Sequence, residues 1–286
     1  MNVVNKQGIV LTPEIGGDIH LGSLAKKQRV RSAYSFANIN LLGKCNVDCC
    51  FCLGKDLELE FEQYQDTQTH FLKFPNFQNF IDRCKELQIP QIYITGQNTD
   101  SLLYRYLDQL IDYLQLQGFK VGLRTNGLLA HKMMDVINKC DTCWGDAVSY
   151  SIHTLNLETQ KKIWKTPLVP NWDFILKNTT AKMRVAIVVT RYNELVEDME
   201  LFEQYEKEVA AKYLKIKTFE SASVYGMYGM EVSFWPTVGT TVNSINYFSN
   251  GILSDDYFII EGYQIEKGLE IGSDKYVKID LSPVTL

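Results

Sequence analysis

From Ser35 onward the chain alternates between short apolar runs and longer segments whose apolar residues return every three or four positions. Phe36, Ile39 and Leu41 read as a short buried strand. Phe77 to Leu87 is helix-like. Ile89 to Gly96 reads as a strand that ends in a glycine turn. Ser101 to Leu116 places Leu102, Leu103, Tyr106, Leu107, Leu110, Ile111 and Leu114 at helical spacing. The same reading gives a strand at Phe119–Leu123, stopped by Thr125-Asn126-Gly127, a helix at Ala130–Asn138 and a strand at Ala147–Ile152. Short helices follow at Leu157–Trp164 and Trp172–Lys177, then a strand at Val185–Thr190, a helix at Leu195–Tyr213 and a strand at Ile216–Phe219.

Strand and helix thus alternate about six times between Ser35 and Ser223. That rhythm predicts an α/β fold of parallel strands covered by helices. An apolar strand such as Val185-Ala186-Ile187-Val188-Val189 suits a sheet buried on both faces. Residues 1–34 show no strong periodicity and read as an N-terminal extension, and residues 35–223 read as the core. After Ser223 glycine, tyrosine and serine increase and helical spacing fades. Residues 224–286 therefore read as a β-rich cap, with strands expected at Glu231–Trp235, Tyr257–Tyr263 and Lys275–Asp280.

Composition excludes several classes. Across 286 residues, hydrophobic content of 45% and charged content of 22% are those of a globular chain. A net charge of −5 and the lack of a basic tract give no nucleic-acid footprint. Lys26, Lys27, Arg29 and Arg31 read as a solvated segment. No run of eighteen apolar residues suggests a membrane span, and the N-terminus has no apolar signal region. Seven cysteines, an odd number, fit free thiols in a reducing cytoplasm.

Three of those cysteines carry the chemistry. Cys45, Cys49 and Cys52 form a C-x3-C-x2-C run directly after the first strand of the series. A [4Fe–4S] cluster normally takes four cysteines, so three thiolates on one loop leave an iron open to a small molecule. Ligands in parallel α/β folds sit at the carboxyl ends of the strands, where this loop falls. Two other readings stay open: a zinc site, perhaps recruiting Cys50, and a metal-free cysteine cluster. Cys140 and Cys143, a C-x2-C pair before a later strand, read as structural thiols at the opposite barrel end, and Cys84 as a core residue.

This loop resembles the signature of the radical S-adenosylmethionine (radical SAM) enzymes, over about residues 35–223. The resemblance implies a partial (β/α)6 barrel, which the six units match, one [4Fe–4S] cluster on Cys45, Cys49 and Cys52, and S-adenosyl-L-methionine held by the open iron. It implies reductive cleavage to a 5′-deoxyadenosyl radical that takes a hydrogen atom from the substrate. Phe51 stands where the family has an aromatic beside adenine. The family's Gly-Gly-Glu turn, whose backbone meets the amino group of S-adenosylmethionine, corresponds to Gly96, Gln97 and Asn98, so that only the first glycine is kept. An ordinary turn with Asp100 as N-cap fits the same residues. Arg124, Thr125 and Asn126 end the third strand, where the resemblance places contacts to the methionine carboxylate or ribose; a surface ion pair is the other reading of Arg124. Ser149, Ser151 and His153 alternate on the fourth strand and so point the same way, with ribose or substrate contacts implied. Val188 and Thr190 close the set, at the adenine or ribose.

The signature fixes how the radical is made and leaves the substrate open. A maturase of ribosomally made peptides is the first reading, and the short tail and Thr-Gly-Gln-Asn turn resemble peptide-splicing enzymes that excise a tyrosine-derived tyramine. With no room in residues 1–34 for a leader-binding domain, a separate leader-binding protein is expected, together with a reductant such as flavodoxin or ferredoxin. The alternatives are a nucleotide or other small metabolite as substrate, and a non-enzymatic iron–sulfur or zinc scaffold. No nucleic acid or membrane partner is expected.

Overall fold

The computed structural model describes residues 3–4, 10–11, 36–49, 52, 68–189, 214–220 and 244–254. Its strands are β1 (Val3–Val4), β2 (Val10–Leu11), β3 (Phe36–Leu42), β4 (Gln91–Gln97), β5 (Lys120–Thr125), β6 (Val148–Ser151), β7 (Met183–Val189), β8 (Leu214–Glu220), β9 (Ser244–Phe248) and β10 (Leu253–Ser254). β1 and β2 form a two-residue antiparallel ladder. The others form one sheet in the order β10-β9-β3-β4-β5-β6-β7-β8. The six strands β3 to β8 are parallel and lie in chain order, with described helices in the crossovers from β3 through β7. This is the partial (β/α)6 barrel. β9 adds to it in parallel beside β3, and β10 folds back antiparallel on β9.

Helices α1 (Phe77–Glu86), α2 (Leu107–Leu116), α3 (Met134–Ile137), α4 (Leu157–Trp164) and α5 (Trp172–Asn178) occupy the crossovers. In α1 the buried residues are Phe77, Phe80, Ile81 and Cys84; in α2 they are Leu107, Leu110, Ile111 and Leu114. Both sets have i, i+3, i+4, i+7 spacing and make one apolar stripe per helix. Fully burying each such side chain is worth roughly 1.5–3 kcal/mol. The stripes share a core with Ala37, Ile39 and Leu41 of β3, Ile92 and Ile94 of β4, and Val121 and Leu123 of β5. Asn156 caps α4 by accepting from the N–H groups of Glu158 and Thr159, and Asn171 caps α5 through Phe174.

Because side chains alternate along a strand, the residues between those core positions face the other way. That inner face carries Asn38, Asn40, Tyr93, Arg124, Ser149 and Arg184. One face of the sheet is therefore oily and the other polar.

Two expected helices are broken. Over 101–116 the structure has a 3-10 turn at Ser101–Leu103 and α2 only from Leu107. Between them Tyr104 is extended, buried against Phe74, and donates its hydroxyl to the carbonyl of Thr69. Over 130–138 a 3-10 turn at Ala130–Lys132 precedes the short α3. The expected helix at 195–213 and the strands at 231–235, 257–263 and 275–280 lie outside the described residues. Among the described residues no helix is long and apolar enough to cross a membrane.

Candidate active site

The cysteine loop leaves the carboxyl end of β3 and is held by two backbone bonds. The N–H of Asp48 donates to the carbonyl of Trp164 at 2.9 Å, at the end of α4, and the N–H of Cys52 donates to the carbonyl of Cys49 at 3.1 Å. The second bond closes a turn that puts Cys49 and Cys52 on one bend. None of the three cysteines is in a disulfide, and all three are half-buried. Burial, followed by the nearby Asp100 and Cys52, pushes the Cys45 thiol up to about 12. Phe51 and Cys50 lie outside the described residues.

The ends of β4 and β5 meet the loop. Asp100 is buried there, and burial raises its carboxyl above the usual range against the bonds that lower it. It accepts from the N–H of Asn126 at 2.6 Å, the N–H of Leu102 at 3.0 Å and the Thr125 hydroxyl at 2.8 Å. Asp100 thus caps the 3-10 turn and also pins the β5 end to the β4 end. Thr99 donates its hydroxyl to the Lys44 carbonyl at 3.3 Å, which ties in the cysteine loop.

Three asparagines stand around the thiols. The Asn126 amide nitrogen lies 2.7 Å from Asn46 Oδ1 and 3.7 Å from Cys45 Sγ. Asn98 Oδ1 lies 3.9 Å from Cys52 Sγ. The Asn46 and Asn98 side-chain nitrogens are buried with no hydrogen-bond partner among the described residues.

The other expected site residues fall in two tiers. Gly96 ends β4 in the tight turn: a Cβ there would lie 2.1 Å from the Thr99 carbonyl oxygen. Gln97 is buried and donates to Asn40 Oδ1 at 3.1 Å. Ser151 is half-buried at the end of β6. These three share the upper tier with Asn98 and Asn126. Arg124 and Ser149 pair across β5 and β6 two residues lower, about 7 Å down the strands. The Arg124 guanidinium lies 4.7 Å from the Tyr93 ring centroid, and Ser149 Oγ accepts from Arg184 Nε at 3.1 Å. The Thr125 hydroxyl is committed to Asp100. Val188 lies near the carboxyl end of β7, and Thr190 lies outside the described residues. His153 is buried, and burial lowers it to about 3, which favours the neutral ring.

Cys143 is at the other end of the barrel, where its N–H donates to Gln91 at the start of β4. Cys140 is buried, and burial alone raises it to about 12. Cys84 packs in the α1 core.

Sequence reasoning missed Asn46 as a site residue and the double role of Asp100. The available signal was an asparagine in the cysteine loop and one following each of β4 and β5.

The donor set fits a [4Fe–4S] cluster with one open iron. It offers three thiols on one loop and buried amide N–H groups that lack acceptors, which anionic sulfur would supply. Among the described residues no three His, Cys, Asp or Glu side chains converge on a single-ion position. A cubane takes one thiolate at each of three irons and needs no such convergence.

No protein-family model matches the chain, and no curated protein matches it. Among solved structures it is similar to SuiB of Streptococcus suis. SuiB bound to its precursor peptide SuiA superposes with a TM-score of 0.50 at 12% identity, covering 81% of this chain and 62% of that one. A second SuiB structure gives 0.50 and 12%, covering 90% and 66%. The chain thus spans a little under two thirds of SuiB's length, and the likeness is one of fold. The chain has a six-unit partial barrel with a C-x3-C-x2-C loop leaving the first of its six parallel strands.

Proposed function

We propose that the protein is a radical SAM enzyme that acts on a ribosomally made precursor peptide. The observation that carries the first half is the placement of Cys45, Cys49 and Cys52 at the carboxyl end of β3, against the ends of β4 and β5, with partnerless amide nitrogens beside them. When bound, one [4Fe–4S] cluster and S-adenosylmethionine would supply a 5′-deoxyadenosyl radical able to take a hydrogen atom from a substrate.

The chain's own residues do the holding and shielding. The three cysteines supply the thiolates. Asp100 fixes the β4 and β5 ends, so the turn at Gly96, Gln97 and Asn98 and the strand end at Asn126 present backbone and amide groups toward the loop. Phe51, Arg124, Thr125, Ser149, Ser151, Val188 and Thr190 complete the cofactor set we propose. The apolar helical layer behind β3–β5 excludes water from that side of the sheet.

The peptide reading is supported by likeness in fold to a protein whose structure is bound to a precursor peptide. The polar inner face also suits a backbone-rich substrate, which needs hydrogen-bond partners when buried. A separate leader-binding protein would deliver the peptide, flavodoxin or ferredoxin would supply the electron, and a reducing cytoplasm would keep the thiols free. Tyramine excision is the specific form of peptide chemistry we favour.

Anaerobic reconstitution followed by reduction tests this reading. The expected result is about four irons and four sulfides per chain and release of 5′-deoxyadenosine and methionine from S-adenosylmethionine. A fully loaded protein that yields neither product is a scaffold. Product formation stimulated by a nucleotide and by no peptide moves the substrate to the small-metabolite class.

A further inference from the structure

The three asparagines around the cysteine loop have a chemistry of their own. Asn98 Oδ1 is 3.9 Å from Cys52 Sγ, while Asn98 Nδ2 is buried and has no partner. Asn46 Oδ1 is 3.6 Å from Cys45 Sγ, and its Nδ2 is likewise buried and partnerless. Asn126 Nδ2 lies 3.7 Å from Cys45 Sγ. Two desolvated amide nitrogens at one loop, without acceptors among the described residues, are an unfavourable arrangement.

The pattern makes sense once the thiols lose their protons. A protonated cysteine donates to an amide oxygen, as Cys45 does to Asn46 and Cys52 to Asn98. A metal-bound thiolate has no proton and only accepts. The two ends of a primary amide are nearly isosteric, so at Asn98 a rotation of the amide plane presents Nδ2 in place of Oδ1, while Asn46 Oδ1 keeps accepting from Asn126 Nδ2 at 2.7 Å and holds that amide beside Cys45. Asn98 is held for this by its left-handed backbone, φ 55°, a conformation that asparagine tolerates better than most residues. Asn126 is held by its own N–H on Asp100 and by its Oδ1, which accepts from Leu128 at 2.9 Å. Its Nδ2 is therefore already the end turned toward Cys45.

We infer that Asn98 and Asn126 donate their amides to the sulfurs of Cys52 and Cys45, with Asn46 holding the Asn126 amide in place, and that this collar raises the reduction potential of the cluster. The inference rests on the cluster reading above. Hydrogen bonds to sulfur favour the reduced, more negative cluster and so move its potential upward. The three residues act through the thiolates and are positioning residues.

The test uses the full-length protein, reconstituted anaerobically and titrated by paramagnetic resonance against a mediator series without S-adenosylmethionine. Asn98→Gly keeps the left-handed backbone and deletes the amide. It is expected to bind the full iron and sulfide complement with a midpoint shifted to more negative potential. Asn46→Ala is expected to shift it in the same direction, and the double variant further. A fully loaded Asn98→Gly with an unchanged midpoint overturns the collar, above all if it has lost affinity for S-adenosylmethionine, which would return Asn98 to the cofactor. Should a variant fail to load, pulsed resonance on the reduced wild type with asparagine labelled 15N at the side-chain amide only decides: 15N coupling to the cluster is expected, and its absence overturns the proposal. Failure of the wild type to take up a four-iron cluster is a different result, which removes the underlying enzyme reading itself.

Discussion

The two ends of the barrel are both polar, and they are satisfied in opposite ways. At the amino end Asp146 accepts from the Tyr93 hydroxyl at 2.6 Å and from Thr142 at 3.0 Å, with Arg184 at 3.9 Å. Burial alone would push Asp146 upward. The Tyr93 hydrogen bond, the Arg124 and Arg184 charges and Thr142 together hold it below the usual carboxylate range. Phe36, Tyr93 and Trp144 pack edge to face or tilted around this network, with ring centroids 5.5–6.4 Å apart. At the carboxyl end, among the described residues, the Asn46 and Asn98 amide nitrogens beside the thiols are left unmatched, against the single Gln91 Nε2 at the amino end, which lies outside the Asp146 network. A polar network that closes on itself holds a fold together; one with open valences at the ligand-bearing end of a parallel sheet waits for a partner.

The largest expected effect breaks the carboxyl end alone. Cys45→Ala, Cys49→Ala and Cys52→Ala should each abolish the cluster, seen as loss of its visible absorption and of four-iron stoichiometry. The Cys140→Ala/Cys143→Ala pair should keep both. Iron lost in that double variant would put metal chemistry at the amino end and erase the contrast.

Asp146→Ala attacks the closed end. It removes the carboxylate 3.9 Å from Arg184 and the acceptor of the Tyr93 hydroxyl. Removing one partner of a buried charged pair costs about 3–5 kcal/mol. Urea unfolding should show that loss, while the folded fraction still binds its full iron. A variant as stable as the parent would mean that the network is not structural.

The difference between the ends also marks what could be read from the sequence. Helices α4 and α5 match their expected spans to within a residue, because apolar spacing and an asparagine cap agree in each. The 101–116 segment misled because a 3-10 turn and an α-helix both bring apolar residues back near every third position. The break at Tyr104 depends on Phe74 and Thr69, about thirty residues away. β9 was invisible for the reverse reason: Asn246 bonds Asn38 across the inner face at 2.9 Å, so a polar residue occupies what a pattern search expects to be apolar. At the site, the cysteine spacing is local and legible. The junction made by Asp100 forms only when the ends of β4 and β5 come together.

Gly96 sharpens the comparison from the carboxyl side. A methyl group there would strike the Thr99 carbonyl at 2.1 Å, a backbone atom that cannot swing away. Gly96→Ala should cost about 1–3 kcal/mol and, by moving the turn, weaken binding of S-adenosylmethionine. The same stability loss with unchanged cofactor affinity, measured by calorimetry on loaded protein, would show that the turn serves packing only.

The smallest effect concerns pH. His153 is buried and its folded value is lowered to about 3 by burial, against an unfolded value of about 6.5. Between these values the unfolded chain binds a proton that the folded chain refuses. Stability therefore rises with pH through that window and is unaffected by His153 well above it. One unit below the unfolded value the loss is about 1.4 kcal/mol. Asp100 acts with the opposite sign, because its raised folded value favours the folded state as it protonates, in the more acidic range above the usual carboxylate value. A variant at 153 separates the two. His153→Gln keeps a neutral polar side chain, so its unfolding free energy should fall by about 1.4 kcal/mol less than wild type between pH 7.5 and about pH 5.5. Equal losses in both proteins would mean that His153 takes up a proton inside the fold, which would make it a candidate for work at the substrate.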